Sequence, residues 1–303
     1  MHTRAVVRLT LAFSAFLLSL VGPDTACFAQ KTLVWKFPKS RVFDVVVEQD
    51  TVMKLDSTGN ANLQIKETNT LQKTNLRWTV LDVNSEGLAS VEQAIDRIVL
   101  ELRSPAANFI IDTNDNTPLT GIGESIAKGI RPLAGARYIA KTRANGQVID
   151  LAIPDDVSQK FKEGVGGLGE AGLREIAVNG TLQFPNKPVN VGDTWAAQYE
   201  LDMRVFGKLI VSTTYQYLGE ETQGGKVLDK IKATTAMKAS DPKDNSGLKL
   251  KKQESSGTIW FDNNLGCIHH SEFQQEMAMD VNQGGIQVTQ LVQEKLKLNF
   301  TSR

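Results

Sequence analysis

The chain has 303 residues, with 34 lysines and arginines against 34 aspartates and glutamates, so its net charge is close to zero. A chain of this length buries enough apolar surface to fold without a disulfide or a metal ion. Because it has no excess of basic residues to contact a phosphate backbone, we expect no nucleic acid partner.

The first residues of the chain predict export. Arg4 and Arg8 precede an apolar stretch over residues 9–22, which is too short to span a bilayer. Small residues then stand at the two positions that a signal peptidase reads, in the segment 27–29. We therefore expect residues 1–29 to be a cleaved signal peptide and the mature protein to be periplasmic or extracellular.

Cys27 offers a second interpretation of this leader, as the lipidated first residue of a membrane-anchored lipoprotein. Ala26 suits such a signal, but Asp24 stands where the signal normally has an aliphatic residue. We favour cleavage after Ala29 for this reason. No later apolar stretch is long enough for a helix that spans a bilayer, so we expect no transmembrane segment in the mature chain.

Apolar residues alternate with polar ones in the first half of the mature chain, beginning at Phe43, Val45 and Val47. Such alternation predicts strands with one buried face. The spacing of apolar residues over 88–102 fits a helical face, although residues 98–102 also alternate as in a strand, and periodicity alone favours a helix. Asn145-Gly146 predicts a tight hairpin turn between two further strands.

Two stretches predict helices. The first, over residues 121–133, follows an Asn-Thr-Pro sequence that can cap a helix. The second, over residues 155–176, begins with Asp155 and Asp156, whose charges favour the positive end of the helix dipole. Glycines between positions 164 and 172 weaken this second helix, so we expect it to be broken or bent.

The second half of the mature chain continues the alternation, over residues 209–217, 273–281 and 286–300. Paired glycines or asparagines predict the turns between the strands, at 224–225, 263–264 and 284–285. Alternation with one polar face is typical of antiparallel sheets that have water on one side. We therefore expect most of the strands to pair as antiparallel neighbours.

These elements predict a β-rich α+β fold, with two antiparallel, curved sheet halves joined by the broken helix. We expect an N-terminal β-rich half over 30–153, a helical connector over 154–179 and a C-terminal β-rich half over 180–303. Each half is long enough to be a domain of its own, so the pattern leaves open whether the two form one domain or two.

Several short motifs resemble those of an uncharacterised family of exported bacterial proteins. They are Trp35-Lys36-Phe37, Asp96-Arg97-Ile98 leading to Ser104-Pro105, Gly146-Gln147-Val148, Val191-Gly192-Asp193-Thr194-Trp195, and Gly257 followed by Phe261-Asp262 and Gly266. The resemblance implies a mostly β fold, so we interpret residues 90–102 as extended. It implies no activity. At the level of fold the chain is also loosely similar to periplasmic lipoprotein carriers, whose curved sheet holds an acyl chain.

Asp112, Asn114 and Asn116 have the spacing of the first ligands of a calcium-binding loop, which makes them candidate metal ligands. Thr117 stands where such a loop needs glycine, and Glu124 lies one residue beyond the position of the bidentate ligand. A turn that caps a helix explains the same residues equally well.

A glycine-rich string over residues 164–169 matches the G-x-G-x-x-G pattern of dinucleotide sites. That pattern binds a cofactor only between a strand and a helix, with an acidic residue about 20 positions further on. No strand is predicted before the string, and Val189 stands in place of the acid. We therefore expect no cofactor.

His269 and His270 are the only histidines of the expected mature chain, which makes them its candidate catalytic residues. On a regular strand their side chains would point to opposite faces, so the two could not bind one metal ion. Cys267 would share a face with His269 and complete half of a metal site. As the single cysteine of the mature chain, Cys267 cannot form an internal disulfide, and we expect it to be a small buried apolar residue.

The function that these observations favour is a non-enzymatic binding module of the cell envelope, with a hydrophobic ligand or an envelope protein as its partner. A curved sheet would supply an apolar wall for either. Two alternatives stay open, a hydrolytic enzyme that uses His269 and His270 and a scaffold without a small ligand. Catalysis would place polar groups around a histidine, whereas an apolar site would be lined by aliphatic side chains.

Overall fold

The computed structural model describes residues 30–56, 66–163, 181–202, 208–239, 248–283 and 286–303. The strands of the first half are β1 (Val42–Asp56), β2 (Lys66–Val83), β3 (Ala89–Arg103), β4 (Asn108–Asp112), β5 (Arg137–Thr142) and β6 (Val148–Ala152). The strands of the second half are β7 (Thr194–Asp202), β8 (Lys208–Gln223), β9 (Lys226–Ala239), β10 (Leu248–Asp262), β11 (Cys267–Gln283) and β12 (Ile286–Ser302). The helices are α1 (Ile122–Ile130), which continues into a 3-10 turn (Arg131–Leu133), and α2 (Asp155–Glu163).

All twelve strands belong to one open antiparallel sheet. Its strand order is β6-β5-β3-β2-β1-β12-β11-β10-β9-β8-β7, and β4 pairs with the part of β3 that β5 does not reach. The predicted β-rich α+β fold is therefore confirmed.

The first and last strands of the chain join the two predicted sheet halves. β1 pairs with β12 along its whole length, from Phe43 opposite Ser302 to Asp56 opposite Thr289. This pairing satisfies the backbone groups that would otherwise line two free edges. The two halves are thus parts of a single sheet. Periodicity identifies strands but not their partners, so the sequence did not specify this junction.

Most local predictions are confirmed by the described residues. Residues 90–102 lie within β3, and the first predicted helix corresponds to α1 with its 3-10 turn. Asn145-Gly146 makes the turn between β5 and β6, where Gly146 has a φ of 87° that glycine adopts at little steric cost. The second predicted helix begins at Asp155 as expected. Its remainder, the glycine-rich string within it and the turn at 284–285 lie outside the described residues.

The sheet has two different faces. In β1, Phe43 and Val45 are buried and alternate with less buried residues, and we call the face that carries them the core face. The opposite face is the outer face. Residues that lie directly opposite one another on paired strands share a face, so the pairing extends this assignment across the sheet. In β12, for example, Phe300 is on the core face and Asn299 is exposed on the outer face.

Two segments outside the strands fill one end of the core face, residues 30–37 and 181–190. They pair with each other at Lys31 and Val189. Trp35 Nε1 donates a hydrogen bond to the carbonyl oxygen of Leu182 at 2.9 Å. We call these two segments the plug and the end of the sheet that they fill the closed end. Buried plug residues form one core cluster with side chains from β1, β2, β3, β8, β9, β10, β11 and β12.

The sheet bends around Trp35. The indole lies 6.4 Å from the ring of Trp78 in β2 and 5.5 Å from the ring of Phe261 in β10. β2 and β10 are four strand spacings apart, or about 19 Å in a flat sheet. One side chain contacts both strands because the sheet curves toward the plug.

Helix α1 covers the core face above β3 and β4. Its Ala127 and Ile130 pack against Ile98, Leu100 and Ile111 of these strands. The amphipathic helix thus buries its apolar side on the sheet. Among the residues that the structure describes, no helix is long and apolar enough to cross a bilayer.

Candidate ligand-binding face

Beyond the plug, a row of polar side chains crosses the core face. Its members lie opposite one another on seven neighbouring strands, and we call them the polar row: Thr70, Thr51, Glu294, Gln275, Ser255, Thr235 and Thr213. Side chains alternate between faces along a strand, so a shift of one residue in any pairing would break the row. The row therefore depends on the register of the sheet.

Glu294 is the one charged member of the polar row. Gln49 Nε2 donates a hydrogen bond to its Oε1 at 3.0 Å. Burial raises the pKa of Glu294, and this effect outweighs the lowering by the hydrogen bond from Gln49. Elsewhere in the row, the hydroxyls of Thr213 and Thr235 share a hydrogen bond at 2.9 Å. The row thus offers donors and acceptors in half-buried surroundings.

On the far side of the polar row from the plug, apolar side chains predominate on the core face, with Gln253 and Gln290 among them. We call these apolar side chains the methionine wall: Met53, Met237, Met277, Met279, Val211 and Val292. Val292 lies between Met53 and Met277 on neighbouring strands. Four of the six methionines of the chain belong to this wall. Methionine is flexible and polarisable, and it occurs on binding surfaces that adapt to apolar partners.

The sheet is split between β9 and β10 beside the methionine wall. Among the described residues, the β9–β10 pairing ends at Thr235 and Ser255, although both strands continue beyond it. The side chain of Gln253 crosses the split: its Nε2 donates to the carbonyl oxygen of Thr235 at 2.9 Å, and its Oε1 accepts from the amide of Met237 at 3.1 Å. We call this end of the sheet the open end.

The outer face carries many charged side chains together with some exposed apolar ones. Lys73 pairs with Glu48 at 2.8 Å, and Lys297 pairs with Glu272 at 3.3 Å. A groove of about 360 Å³ on this face is lined by charged residues and also by Leu71 and Val99. The outer face therefore mixes exposed ion pairs, which keep most of their hydration, with isolated apolar side chains.

The candidate calcium ligands lie at the end of β4 and in the turn that follows. Arg97 Nε donates to Asp112 Oδ1 at 2.9 Å, and a second guanidinium nitrogen contacts the other carboxylate oxygen. The hydrogen bond from Arg97 is the main reason that the pKa of Asp112 falls to about 2. The amide of Asn114 also donates to Asp112 Oδ1, at 3.0 Å. An ion pair and a turn therefore account for Asp112, while Asn114 and Asn116 are exposed.

Cys267 lies at the start of β11 within the main core cluster, with 3% of its surface exposed. Burial raises the pKa of its thiol to about 11, so the reactive thiolate is rare at neutral pH. In the part of the chain that the structure describes, no three histidine, cysteine, aspartate or glutamate side chains are arranged to hold a metal ion.

His269 and His270 lie side by side. The β10–β11 pairing shifts between Trp260 opposite His270 and Phe261 opposite Ile268, which leaves His269 as an extra residue in a β-bulge. A bulge re-aims the side chain of the extra residue. The two Nδ1 atoms are 2.9 Å apart, so the expectation that the two rings point to opposite faces is wrong.

The histidine pair belongs to the outer face. His270 lies opposite the exposed Asn299 of β12, and Trp260 stacks on the His270 ring with centroids 4.3 Å apart. Burial is the main cause that lowers the pKa of both rings. The pair is therefore separated from the methionine wall by the sheet itself.

The sequence interpretation missed the polar row and the methionine wall. The alternation over 273–281 predicts that Phe273, Met277 and Met279 share one face of a strand. It does not predict which strands pair with this one, so it does not predict the surface that the paired strands form. Met53 and Met277 are brought into the same row by the pairing of β1 and β11 with β12. The sequence shows only that Met277 and Met279 stand two residues apart and therefore share a face of β11.

Comparison with known proteins shows a likeness of fold. No protein-family model and no curated protein sequence matches the chain. Among solved structures, it is similar to lipovitellin in a study of its lipid–protein interactions, at 13% identity and a TM-score of 0.50. The match covers 88% of this chain and 26% of the lipovitellin chain, so this chain spans about a quarter of that structure. At this identity the likeness concerns the fold alone.

Two bacterial proteins are also among the structures that the chain is similar to. One is an exported protein with a YmcC-like fold from Bacteroides fragilis, at 11% identity and a TM-score of 0.31, with 86% of this chain and 97% of that chain covered. Another is a DUF1329 family protein from Desulfovibrio piger, at 9% identity and a TM-score of 0.14, with 86% and 85% covered. Likenesses this distant add no evidence on function.

Proposed function

We propose that this protein is an exported, non-enzymatic binding module that holds an apolar ligand on the core face at the open end of its sheet. The observation that carries the proposal is the methionine wall. Its side chains are apolar, four of the six are flexible methionines, and they are brought together from strands of both halves of the chain. The class of ligand that suits it is a flexible hydrocarbon chain.

The polar row refines the class of ligand. It lies directly beside the methionine wall and offers hydroxyl and amide groups, together with Glu294. An amphipathic molecule could lay its chain on the wall and satisfy its polar group at the row. Small-molecule sites commonly combine an apolar lining with a few polar groups that fix the orientation of the ligand.

The likeness to lipovitellin supports this class of ligand by analogy. The lipovitellin structure concerns lipid–protein interactions, and it shares the fold of this chain at a TM-score of 0.50. A curved, open sheet is a scaffold that can expose a large apolar surface on one side. The analogy concerns the scaffold, and the argument for this chain rests on its own methionine wall.

The hydrolytic alternative finds less support. The described ring contacts of the two histidines are with each other and with Trp260, and they include no serine, threonine or cysteine that a histidine could activate. For the two histidines to hydrolyse an apolar ester bound to the core face, they would have to lie on that face. His269 and His270 lie on the outer face, across the sheet from the methionine wall.

A fluorescent fatty acid tests the proposal. Titration of 11-(dansylamino)undecanoic acid into the mature protein should give saturable, blue-shifted emission. Met277→Gln should weaken binding at least about tenfold, which corresponds to about 1.4 kcal/mol, because it places a polar amide in the apolar wall. Met277→Leu should bind like the wild type.

Gln274→Ala is the matched control, since Gln274 is exposed on the outer face of the same strand. It should leave the affinity unchanged. Absence of saturable binding, or an equal loss in Met277→Gln and Gln274→Ala, would contradict the proposal. Absence of binding together with capture of a defined envelope protein through the core face would favour the partner-protein alternative.

A further inference from the structure

We infer that His269 and His270 form a site for one divalent transition-metal ion of the copper(II) type on the outer face of the sheet. The site is independent of the proposed ligand-binding face, which lies on the other side of the sheet. The ion would take the Nδ1 atom of each ring as a ligand and complete its coordination with water.

The β-bulge is what makes such a site possible. In regular pairing, two successive residues of β11 would point to opposite faces. The register shift between Trp260 and Phe261 of β10 leaves His269 without an opposite residue, and its ring turns toward that of His270. Bulges often re-aim side chains next to functional sites.

The distance between the two Nδ1 atoms favours one coordination geometry of the metal ion. The Nδ1 atoms are 2.9 Å apart. In metal sites, an imidazole nitrogen lies about 2.0–2.1 Å from the ion. Two such nitrogens are about 2.9 Å from each other when the N–metal–N angle is about 90°. At a tetrahedral angle the same two nitrogens are about 3.4 Å from each other. The observed separation fits adjacent corners of a square-planar or tetragonal site. That geometry is typical of Cu(II) and Ni(II), and Cu(II) binds nitrogen ligands most tightly of the divalent series.

The surroundings hold the His270 ring in place. Trp260 stacks on it at an interplanar angle of 12°. Trp260 Nε1 donates to Glu221 at 3.2 Å, and Lys230 donates to the same carboxylate at 2.6 Å. Stacking on Trp260, which Glu221 holds in turn, restricts the orientation of the His270 ring.

A hydrogen bond between the two rings would give the same distance without any metal. In that case a single proton lies between the two Nδ1 atoms, and the pair has no particular affinity for Cu(II). The two interpretations differ in stoichiometric metal binding, which can be measured directly.

The test uses the untagged mature protein and Cu(II). Because Trp260 contacts His270, a bound paramagnetic ion should quench tryptophan emission in a saturable way at one ion per chain. Electron paramagnetic resonance should show a tetragonal signal with hyperfine coupling to two nitrogens. His269→Gln and His270→Gln should each weaken binding at least tenfold and lose the two-nitrogen pattern.

Two further variants serve as controls. Trp260→Phe should keep the one-to-one stoichiometry by electron paramagnetic resonance while it loses most of the quenching. Asp112→Asn, which alters one of the candidate calcium ligands, should bind like the wild type. Binding of equal strength in the histidine variants and the wild type, or no saturable binding in folded wild-type protein, would overturn the inference.

Discussion

The side chain of Gln253 forms a hydrogen bond with the main chain of Thr235 where main-chain pairing between β9 and β10 ends. Gln253 Nε2 donates to the carbonyl oxygen of Thr235 at 2.9 Å, at the level where the β9–β10 pairing ends. Its Oε1 also accepts from the amide of Met237 at 3.1 Å. One side chain therefore satisfies two backbone groups of the neighbouring strand and holds the split at the open end together.

Replacement of Gln253 should loosen the open end. We expect Gln253→Leu to lower the free energy of unfolding by about 1–2 kcal/mol, because it leaves an amide and a carbonyl group without partners. Urea denaturation measures this loss, and hydrogen exchange should become faster at the amide of Met237. Gln274→Leu, on the exposed outer face, should change stability by no more than about 0.5 kcal/mol. An equal effect of both substitutions would contradict this role of Gln253.

The sequence predicted several strands because each of those carries its own alternation. Ile286 to Phe300 is an example: the pattern of β12 was evident from the sequence, and so was its type of pairing. The contact of β12 with β1 was not predictable from either strand alone. The polar row follows from that contact, since Thr51 and Glu294 come from opposite ends of the chain.

The histidine pair shows a second limit of the sequence pattern. Strict alternation is the default for a strand, and it separates successive side chains. A bulge is a local departure that depends on how β10 and β11 pair around their turn, where the register shifts at Trp260. No residue type at 269 or 270 signals that shift.

Several of the motifs that resemble those of exported bacterial proteins lie at the closed end of the fold. Trp35 and Trp195 each donate an indole hydrogen bond to a plug carbonyl, at 2.9 Å and 2.7 Å. A Cβ atom on Gly266 would lie 2.3 Å from a side-chain atom of Lys36 in the plug. These residues contribute to packing. Their sequence motifs therefore indicate a fold but no catalytic or ligand-binding chemistry.

A substitution at Gly146 tests the fit of the plug. Its φ is 87°, and an added Cβ would lie 2.1 Å from the carbonyl oxygen of Leu182. Gly225 has a similar φ of 79°, but nothing lies within 4 Å of an added Cβ there. We expect Gly146→Ala to destabilise the protein by at least about 2 kcal/mol more than Gly225→Ala, since only the first adds a clash to the backbone strain. Equal melting temperatures of the two variants would contradict the tight contact.

Cys267 should be unreactive in the native protein. Its thiol is buried and its pKa is raised to about 11, so at pH 8 about one thiol in a thousand is ionised. Ellman's reagent should therefore modify the folded protein at least about a hundredfold more slowly than the same protein in urea. Rapid modification without denaturant would show that the start of β11 opens readily.

Glu294 should make the stability of the protein depend on pH. Burial raises its pKa above the ordinary value of 4.5, so the folded state favours the protonated carboxyl. The resulting stabilisation is present below pH 4.5 and is lost as the pH rises through the folded-state pKa. Glu294→Gln keeps an acceptor for Gln49 and cannot ionise, so it should be more stable than the wild type at pH 7 and close to it at pH 4. Urea denaturation at both pH values measures the difference, with Glu86→Gln in an exposed turn as the control for the loss of one charge. A variant that is less stable than the wild type at pH 7 would show that the ionised carboxylate has a favourable partner on the core face.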